Sequence, residues 1–407
     1  MDGQTDPRGS SGADSAGVWA DIRNGTGALA GVRVVDLSRV LAGPLCTQIL
    51  SDHGADVIKV EPPSGDETRV LGPPFYEDGQ AAYFSALNRG KRSIKLDLAT
   101  EQDRAVLLAL LEEADILVEN FLPGTMKKWG LDFEQTLAGR YPRLIYCDVT
   151  GFGEDGPLGG LPGYDAVLQA MCGVMSVNGD AQSGPTRVGI PIVDHLTGYT
   201  SLAGILMALI VRHRTGRGQR VSATLYDTAL TLLLPHATNY FCSGKAPGLL
   251  GSAHPNISPY DKYETRDGFV FLGVVNDAQF RRFCKTIERT DLLENPLYAD
   301  NPLRIKHRAQ LKAEIEETLK THTKQALCEQ LMRAGVAAGA VNTVQEALAQ
   351  PHTVHRKMLI EREGYKGLGI PVRLSETAPS AGARPPLLDE HGEKIRATIQ
   401  KKRTGPA

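Results

Sequence analysis

Asp194 lies within Arg187–Gly198 (RVGIPIVDHLTG), just before the apolar segment Ser201–Val211 (SLAGILMALIV). A carboxylate at the mouth of an apolar helix has two uses. It can cap the helix by accepting free N–H groups of the first turn. It can also react, as a nucleophile that divides acyl transfer into easier covalent steps. Spacing leaves both readings open and makes the cap the commoner one. His195 follows, but a Ser–His–Asp arrangement needs a serine on a GxSxG elbow, and the chain has none. The ten histidines are dispersed without metal-ligand spacing, so no metal site is expected.

Other motifs say less by themselves. Gly151–Gly156 (GFGEDG) fits GxGxxG after a strand-like run, but a dinucleotide site needs a helix directly behind it. PLGGLPG follows instead, so a loop is expected there. The turn Arg39–Leu45 (RVLAGPL) falls where an α/β sheet holds ligands. Lys91, Arg92, Lys127, Lys128, Arg217 and Arg220 are each either phosphate partners or solvated charges, the second being commoner.

The elements that must position these residues alternate. Gly31–Ser38, Asp56–Pro63, Lys91–Leu98, Asp115–Phe121 and Arg143–Gly153 read as strands. Helical spacing lies between them, at 44–54, 83–88, 100–114 and 125–130. That order predicts a doubly wound α/β domain with a parallel sheet. Helices are expected at 165–173, 196–213 and 227–240, and Gly244–Tyr260 reads as a loop. Tyr260–Val275 reads as a hairpin turning at Arg266–Gly268. Asp277–Lys320 reads as helix broken by Pro296 and Pro302, with a further helix at 323–334. Residues 1–28, rich in Gly, Ser and Asp, read as a disordered arm with a packed piece at Trp19.

With 407 residues and 42% hydrophobic content, the chain can bury two or three lobes. A formal net charge of -2 argues against a nucleic-acid protein. Six cysteines without a CxxC pair point to reduced thiols. The apolar stretch at 196–211, interrupted by Gly and Thr, reads as too short to span a bilayer. The N-terminus has no signal-like apolar core. A cytoplasmic protein is expected.

Taken in order from Leu29 to Gly392, the segments LAGVRVVDLSRVLAGPLCTQILSDHGADVIKVE, GDETR, NRGKRSIKLDL, ENFLPGTMKKWGL, RLIYCDVTGFGEDGP, GYDAV, TRVGIPIVDHLTG, RTGRGQRV and PLLDEHG resemble the class III CoA-transferases. That family also contains α-methylacyl-CoA racemase. The resemblance implies a Rossmann-like large domain built from both termini, a small α+β domain, and a homodimer of interlocked rings. It places the large domain at 29–215, a linker at 216–240, the small domain at 241–325, and a second linker with the C-terminal part of the large domain at 326–407. No resident cofactor is implied, since coenzyme A binds as substrate.

Residue by residue, Asp194 falls on the family's nucleophile. Val40, Ala42, Lys91, Asn120 and Phe121 match coenzyme A contacts. Lys128 stands where a family arginine meets phosphate. Pro62 replaces an adenine-side arginine of formyl-CoA transferase. Tyr83 and Tyr164 match substrate-pocket tyrosines. GSAHPNIS (Gly251–Ser258) occupies the position of a flexible lid that is glycine-rich in several formyl-CoA transferases. The racemase alternative has a His–Asp pair where this chain has Tyr164–Asp165, and Tyr is a poor base at neutral pH. The likeness is closest to enzymes that use succinyl-CoA and dicarboxylic acids. A second carboxylate calls for a cation, and Arg69, Arg187 and His254 are the expected ones.

Overall fold

The computed structural model describes residues 18–19 and 27–404; the rest of the expected N-terminal arm lies outside the described residues. Trp19 is buried, with the Arg33 and Arg92 guanidinium groups over its ring at 6.0 and 5.7 Å.

The first half of the chain alternates as its pattern predicts. β1 (Arg33–Asp36), α1 (Ala42–Asp52), β2 (Asp56–Glu61), α2 (Ala82–Leu87), β3 (Arg92–Lys95), α3 (Glu101–Leu111), β4 (Ile116–Glu119), α4 (Thr125–Lys128) and β5 (Ile145–Thr150) follow in turn. α5 (Asp165–Met171), α6 (Ile192–Thr215), β6 (Arg220–Thr224) and α7 (Leu225–Thr231) come next. Six strands form one sheet in the order β3-β2-β1-β4-β5-β6. Every pairing in it is parallel.

Both faces of this sheet are covered, because alternate side chains feed opposite layers. Val35, Ile58, Leu117 and Tyr146 enter one core, while Val34, Val57, Ile116 and Cys147 enter the other. α6 lies in the second layer against α1, α5, α7, β5 and β6. Gly198 permits the close approach to α1, since a Cβ there would sit 2.8 Å from the Ala42 carbonyl oxygen.

Two expectations need correcting. α6 begins at Ile192 and runs 24 residues, long and apolar enough by length and composition to cross a bilayer. The glycine and threonine that interrupt its apolar pattern do not shorten it, because Gly198 packs against α1 and Thr197 bonds to the Val193 carbonyl within the helix. The helix expected at 227–240 is two, α7 and α8 (His236–Ser243). Pro235 stands between them, without the N–H that an unbroken helix would need.

The chain divides into two compact units. Of the described residues, the first takes those up to Cys172, Ile190–Leu232 and those from Arg356 onward; the second takes Gly173–Gly189 and Leu233–His355. In the second unit β7 (Tyr260–Thr265) and β8 (Gly268–Gly273) form the expected hairpin. α9 (Asp277–Thr286), α10 (Arg308–Leu319) and α11 (Lys324–Arg333) follow, and β9 (Ala337–Ala340) pairs antiparallel with β8. Phe280, Phe283, Ile315 and Leu327 fill its core.

In the first unit, β10 (Leu359–Arg362) pairs with β11 (Tyr365–Leu368). The terminal helix α12 (Gly392–Thr404) then rests on β3 and α3. The free edge of β3 is satisfied from there. Ser93 carbonyl oxygen accepts the His391 N–H at 3.0 Å, and the Lys95 N–H donates to Asp389 Oδ1 at 2.8 Å. Arg396 donates to the Lys95 carbonyl.

Candidate active site

A cavity of about 280 Å³ opens beyond the carboxyl ends of the parallel strands, at the β1–β4 switch point of the sheet. Asp194 lines it, as do Val40, Ala42, Asn120, Phe121 and Tyr164. Six residues picked out from separate stretches of sequence therefore share one cleft.

The β1–α1 turn is held from two sides. Asn120 accepts the Arg39 N–H at 2.8 Å and donates to the Arg39 carbonyl at 2.7 Å. Val40 is consequently fixed at φ 67°, a left-handed conformation that is costly for a β-branched residue. Beneath the turn lies a buried charge network. Asp36 accepts the Ser38 N–H and the Thr47 hydroxyl and pairs with Lys91 at 3.0 Å. Lys59 donates to the Ser38 carbonyl and pairs with Asp66 at 2.9 Å. Burial alone would raise the Asp36 carboxyl, but Lys91 and Lys59 hold it down at about 2.

Lys91 is thereby corrected as a coenzyme A contact. Its ammonium is fully buried and bonded to Asp36, the Pro44 carbonyl and Asn88, so all three donors are taken. Arg69 is corrected likewise as a substrate clamp. Its fork grips both oxygens of Glu61 at 2.7 Å, its remaining nitrogen meets Gln80 and the Pro386 carbonyl, and its plane lies 3.7 Å from the Phe84 ring centre. Lys128 is exposed on α4 and does not line the cavity. Its neighbour Lys127 lines an adjoining cavity of about 410 Å³, walled by Glu119, Asp148 and Arg220.

Asp194 projects from the first turn of α6, yet it does not cap the helix. That work falls to Asp165, at the start of α5. Asp165 Oδ1 accepts the N–H of Val193 at 2.7 Å and of Asp194 at 3.2 Å, and Oδ2 accepts from Gln169. The Asp194 carboxylate has no hydrogen-bond partner among the described residues and faces the cavity. Burial, with the Asp165 charge beside it, pushes its carboxyl up to about 7. A half-buried, unpartnered carboxylate of raised basicity suits a nucleophile. His195 donates its Nδ1–H to the Pro191 carbonyl at 2.8 Å, which ties its ring to the backbone.

Tyr83, half-buried on α2, is near enough that burial first and Asp194 second push its phenol up to about 12. Tyr164 is exposed at the start of α5. No helix follows Gly151–Gly156 before Asp165; Gly151 packs against Gly163, and Glu154 is held by Arg220 at 2.7 Å.

Arg187 and His254 belong to the second unit. Arg187 is exposed, and its Nη1 lies near the carbonyls of Val188 and Gly189. His254 Nδ1 accepts the Asn256 N–H, and its ring meets Tyr260 edge-on at 5.2 Å. The loop expected to act as a lid is tied through Asn256 to Asn239 and Asn301.

Sequence reasoning overlooked two residues. Asp165 read as a helix start and as the partner of Tyr164 in the racemase comparison, and nothing in a linear pattern shows that its carboxylate reaches a second helix. Glu119 carried no signal either. It is buried, accepts the Phe121 N–H at 2.7 Å and the Tyr146 hydroxyl at 2.9 Å, and so anchors the Asn120–Phe121 wall. Burial pushes its carboxyl up to about 7.

The model for CoA-transferase family III matches residues 29–392. The chain is 41% identical to the succinate–glutarate CoA-transferase of Agrobacterium fabrum, over 93% of this chain and 98% of that one. It is 40% identical to the succinyl-CoA:mesaconate CoA-transferase of Haloarcula hispanica, over 91% and 96%. A crystal structure of a CAIB/BAIF family protein from Brucella suis superposes with a TM-score of 0.84 at 42% identity, covering 92% of this chain and 99% of that one. A match over nearly the whole length, joined to a carboxylate left free in a cleft of a parallel α/β sheet, places this chain in the CoA-transferase family III.

Proposed function

We propose that this enzyme moves coenzyme A from succinyl-CoA to a small dicarboxylic acid, with Asp194 as nucleophile. The observation that carries the reading is the Asp194 carboxylate, unpartnered in its cleft and raised to about 7. Two relatives named for succinate–glutarate and succinyl-CoA:mesaconate transfer support the substrate class.

The chemistry divides into balanced steps. The Asp194 carboxylate attacks the thioester carbonyl, and the C–S bond breaks to release CoA thiolate and leave a mixed anhydride. The thiolate attacks the aspartyl carbonyl and expels succinate, giving an Asp194–CoA thioester. The acceptor carboxylate attacks that thioester, forming a new anhydride and freeing the thiolate. Attack on the acceptor's acyl carbon then yields the new acyl-CoA and restores Asp194. Val40, Ala42, Asn120 and Phe121 are assigned to coenzyme A; Tyr83, Tyr164, Arg187 and His254 to the acyl group and acceptor. A homodimer of interlocked rings belongs to the same reading. The apolar side chains Met207 and Ile210, each 61% exposed on α6, supply a face that a second copy would cover.

Incubation with succinyl-CoA followed by intact-protein mass spectrometry tests the chemistry. A CoA adduct located at Asp194, absent from Asp194→Asn and discharged by glutarate, is expected. A wild-type protein that turns over acceptor without any adduct would sink the covalent route. Deuterium exchange at the α-carbon of a 2-methylacyl-CoA without acceptor would establish the racemase instead.

A further inference from the structure

We infer that Arg39 is the cation of the Asp194 cleft, binding an anionic group of the substrate there; the inference rests on the transferase reading above. Arg39 lines the same cavity as Asp194. Its backbone is clamped at both N–H and carbonyl by Asn120. Its guanidinium lies over the Phe121 ring, 5.4 Å from the centre. The clamp and the ring hold the side chain in place before any ligand arrives.

What the group lacks is a partner. Arg39 Nε is buried without a hydrogen-bond acceptor among the described residues. Neither an ion pair nor a side-chain hydrogen bond of Arg39 occurs among them either. Other arginines of the same unit differ sharply in this respect. Arg69 holds Glu61, Arg89 holds Asp52, Arg92 holds Asp56 and Arg220 holds Asp148. A buried polar atom left unpaired costs stability, so it is rare unless a ligand completes it. A guanidinium is planar and always charged, and it matches carboxylate or phosphate by two parallel N–H bonds.

With Arg69 occupied by Glu61, Arg39 becomes the arginine of this cleft that remains open to an incoming anion. That anion has two sources in the reaction: the non-reacting carboxylate of a dicarboxylic substrate, or a phosphate of coenzyme A. Either can accept two parallel N–H bonds from a guanidinium.

Arg39→Gln and Arg39→Lys, compared with the wild type, test this. Neither variant breaks a side-chain hydrogen bond or ion pair among the described residues, and the contact with the Phe121 ring is small, so both are expected to melt close to the wild type. Kinetics with glutarate and with butyrate as acceptors, and calorimetric titration with free CoA, separate the sources. If Arg39 reads a carboxylate, Arg39→Gln lowers kcat/KM for glutarate roughly 10–100-fold, leaves butyrate within about 3-fold, and leaves CoA affinity unchanged. If it reads a phosphate, both acceptors fall together and the CoA dissociation constant rises by a similar factor. Arg39→Lys restores part of either loss. Unchanged glutarate kinetics together with unchanged CoA affinity in Arg39→Gln overturn the inference. The wild-type Asp194 adduct is scored separately, so failure of the transferase reading shows in the wild type alone.

Discussion

The Asp165 carboxylate accepts the backbone N–H of Asp194 at 3.2 Å, so one acid caps the turn from which the other projects. The helix cap and the carboxylate that faces the cleft are thus two residues. Their charges also repel, which adds to the burial that holds the Asp194 proton. Asp165→Asn keeps an oxygen acceptor for the helix but removes the charge. Burial remains, so the acid limb of adduct formation is expected to move below 7 without reaching the ordinary carboxylate range. Single-turnover rates between pH 5 and 8 read this. Asp165→Leu, without an acceptor, is expected to cost about 1–2 kcal/mol in urea melts.

Asp194 itself carries a linked cost. Its folded value of about 7 lies above the ordinary 3.8, so the folded chain holds the proton more tightly than the unfolded one. The stability this gives is full at low pH and is lost as pH rises through about 7. Asp194→Asn is therefore expected to be more stable than the wild type at pH 8, by about 1–4 kcal/mol, and to match it near pH 4. Equal melts at pH 8 would show that the carboxylate is solvated rather than held in the cleft. Adduct formation in the wild type should rise with pH over the same range, since only the ionised form attacks.

Lys91 and Lys128 make opposite predictions. Lys91 is enclosed with Asp36, so Lys91→Met leaves a buried carboxylate unpaired and is expected to destabilise by about 3–5 kcal/mol. Lys128→Ala, on the exposed face of α4, is expected to melt within about 0.5 kcal/mol of the wild type. A Lys91→Met protein that melts normally but binds CoA poorly would restore Lys91 as a ligand contact.

Asn120 clamps Arg39 through both its oxygen and its nitrogen. Asn120→Asp keeps the acceptor and loses the donor; Asn120→Ala loses both. KM for acyl-CoA is expected to rise in that order, by about 10-fold or more in Asn120→Ala, with about 1–3 kcal/mol lost in thermal melts. A kcat loss at constant KM would show that the clamp serves Asp194 rather than the ligand.

The sheet was legible because its strands announce themselves. Val34 and Val35 or Ile116 and Leu117 are apolar on both faces, and Thr100 and Pro123–Gly124 mark the starts of α3 and α4. Five positions matched through the ordered family segments line one cavity with Asp194. What stayed hidden was the pairing of charges. Arg69 and Lys91 are cations at plausible positions, and only three-dimensional contact shows that Glu61 and Asp36 already hold them. Asp165 stayed hidden for the converse reason. It reaches the helix start from 28 residues away along the chain, a distance over which local spacing carries no signal.

The edge of β3 sets a timetable for the newborn chain. The Lys95 N–H is satisfied by Asp389, a residue made 294 positions later. At ribosomal speeds that gap lasts roughly 15–60 s. Throughout it, one strand of the large sheet presents an open backbone edge to whatever it meets, a known route to pairing between chains. A ribosome that stalls or stops before Asp389 therefore leaves a sheet whose Asp194 cleft is encoded in full but whose flank is unsealed.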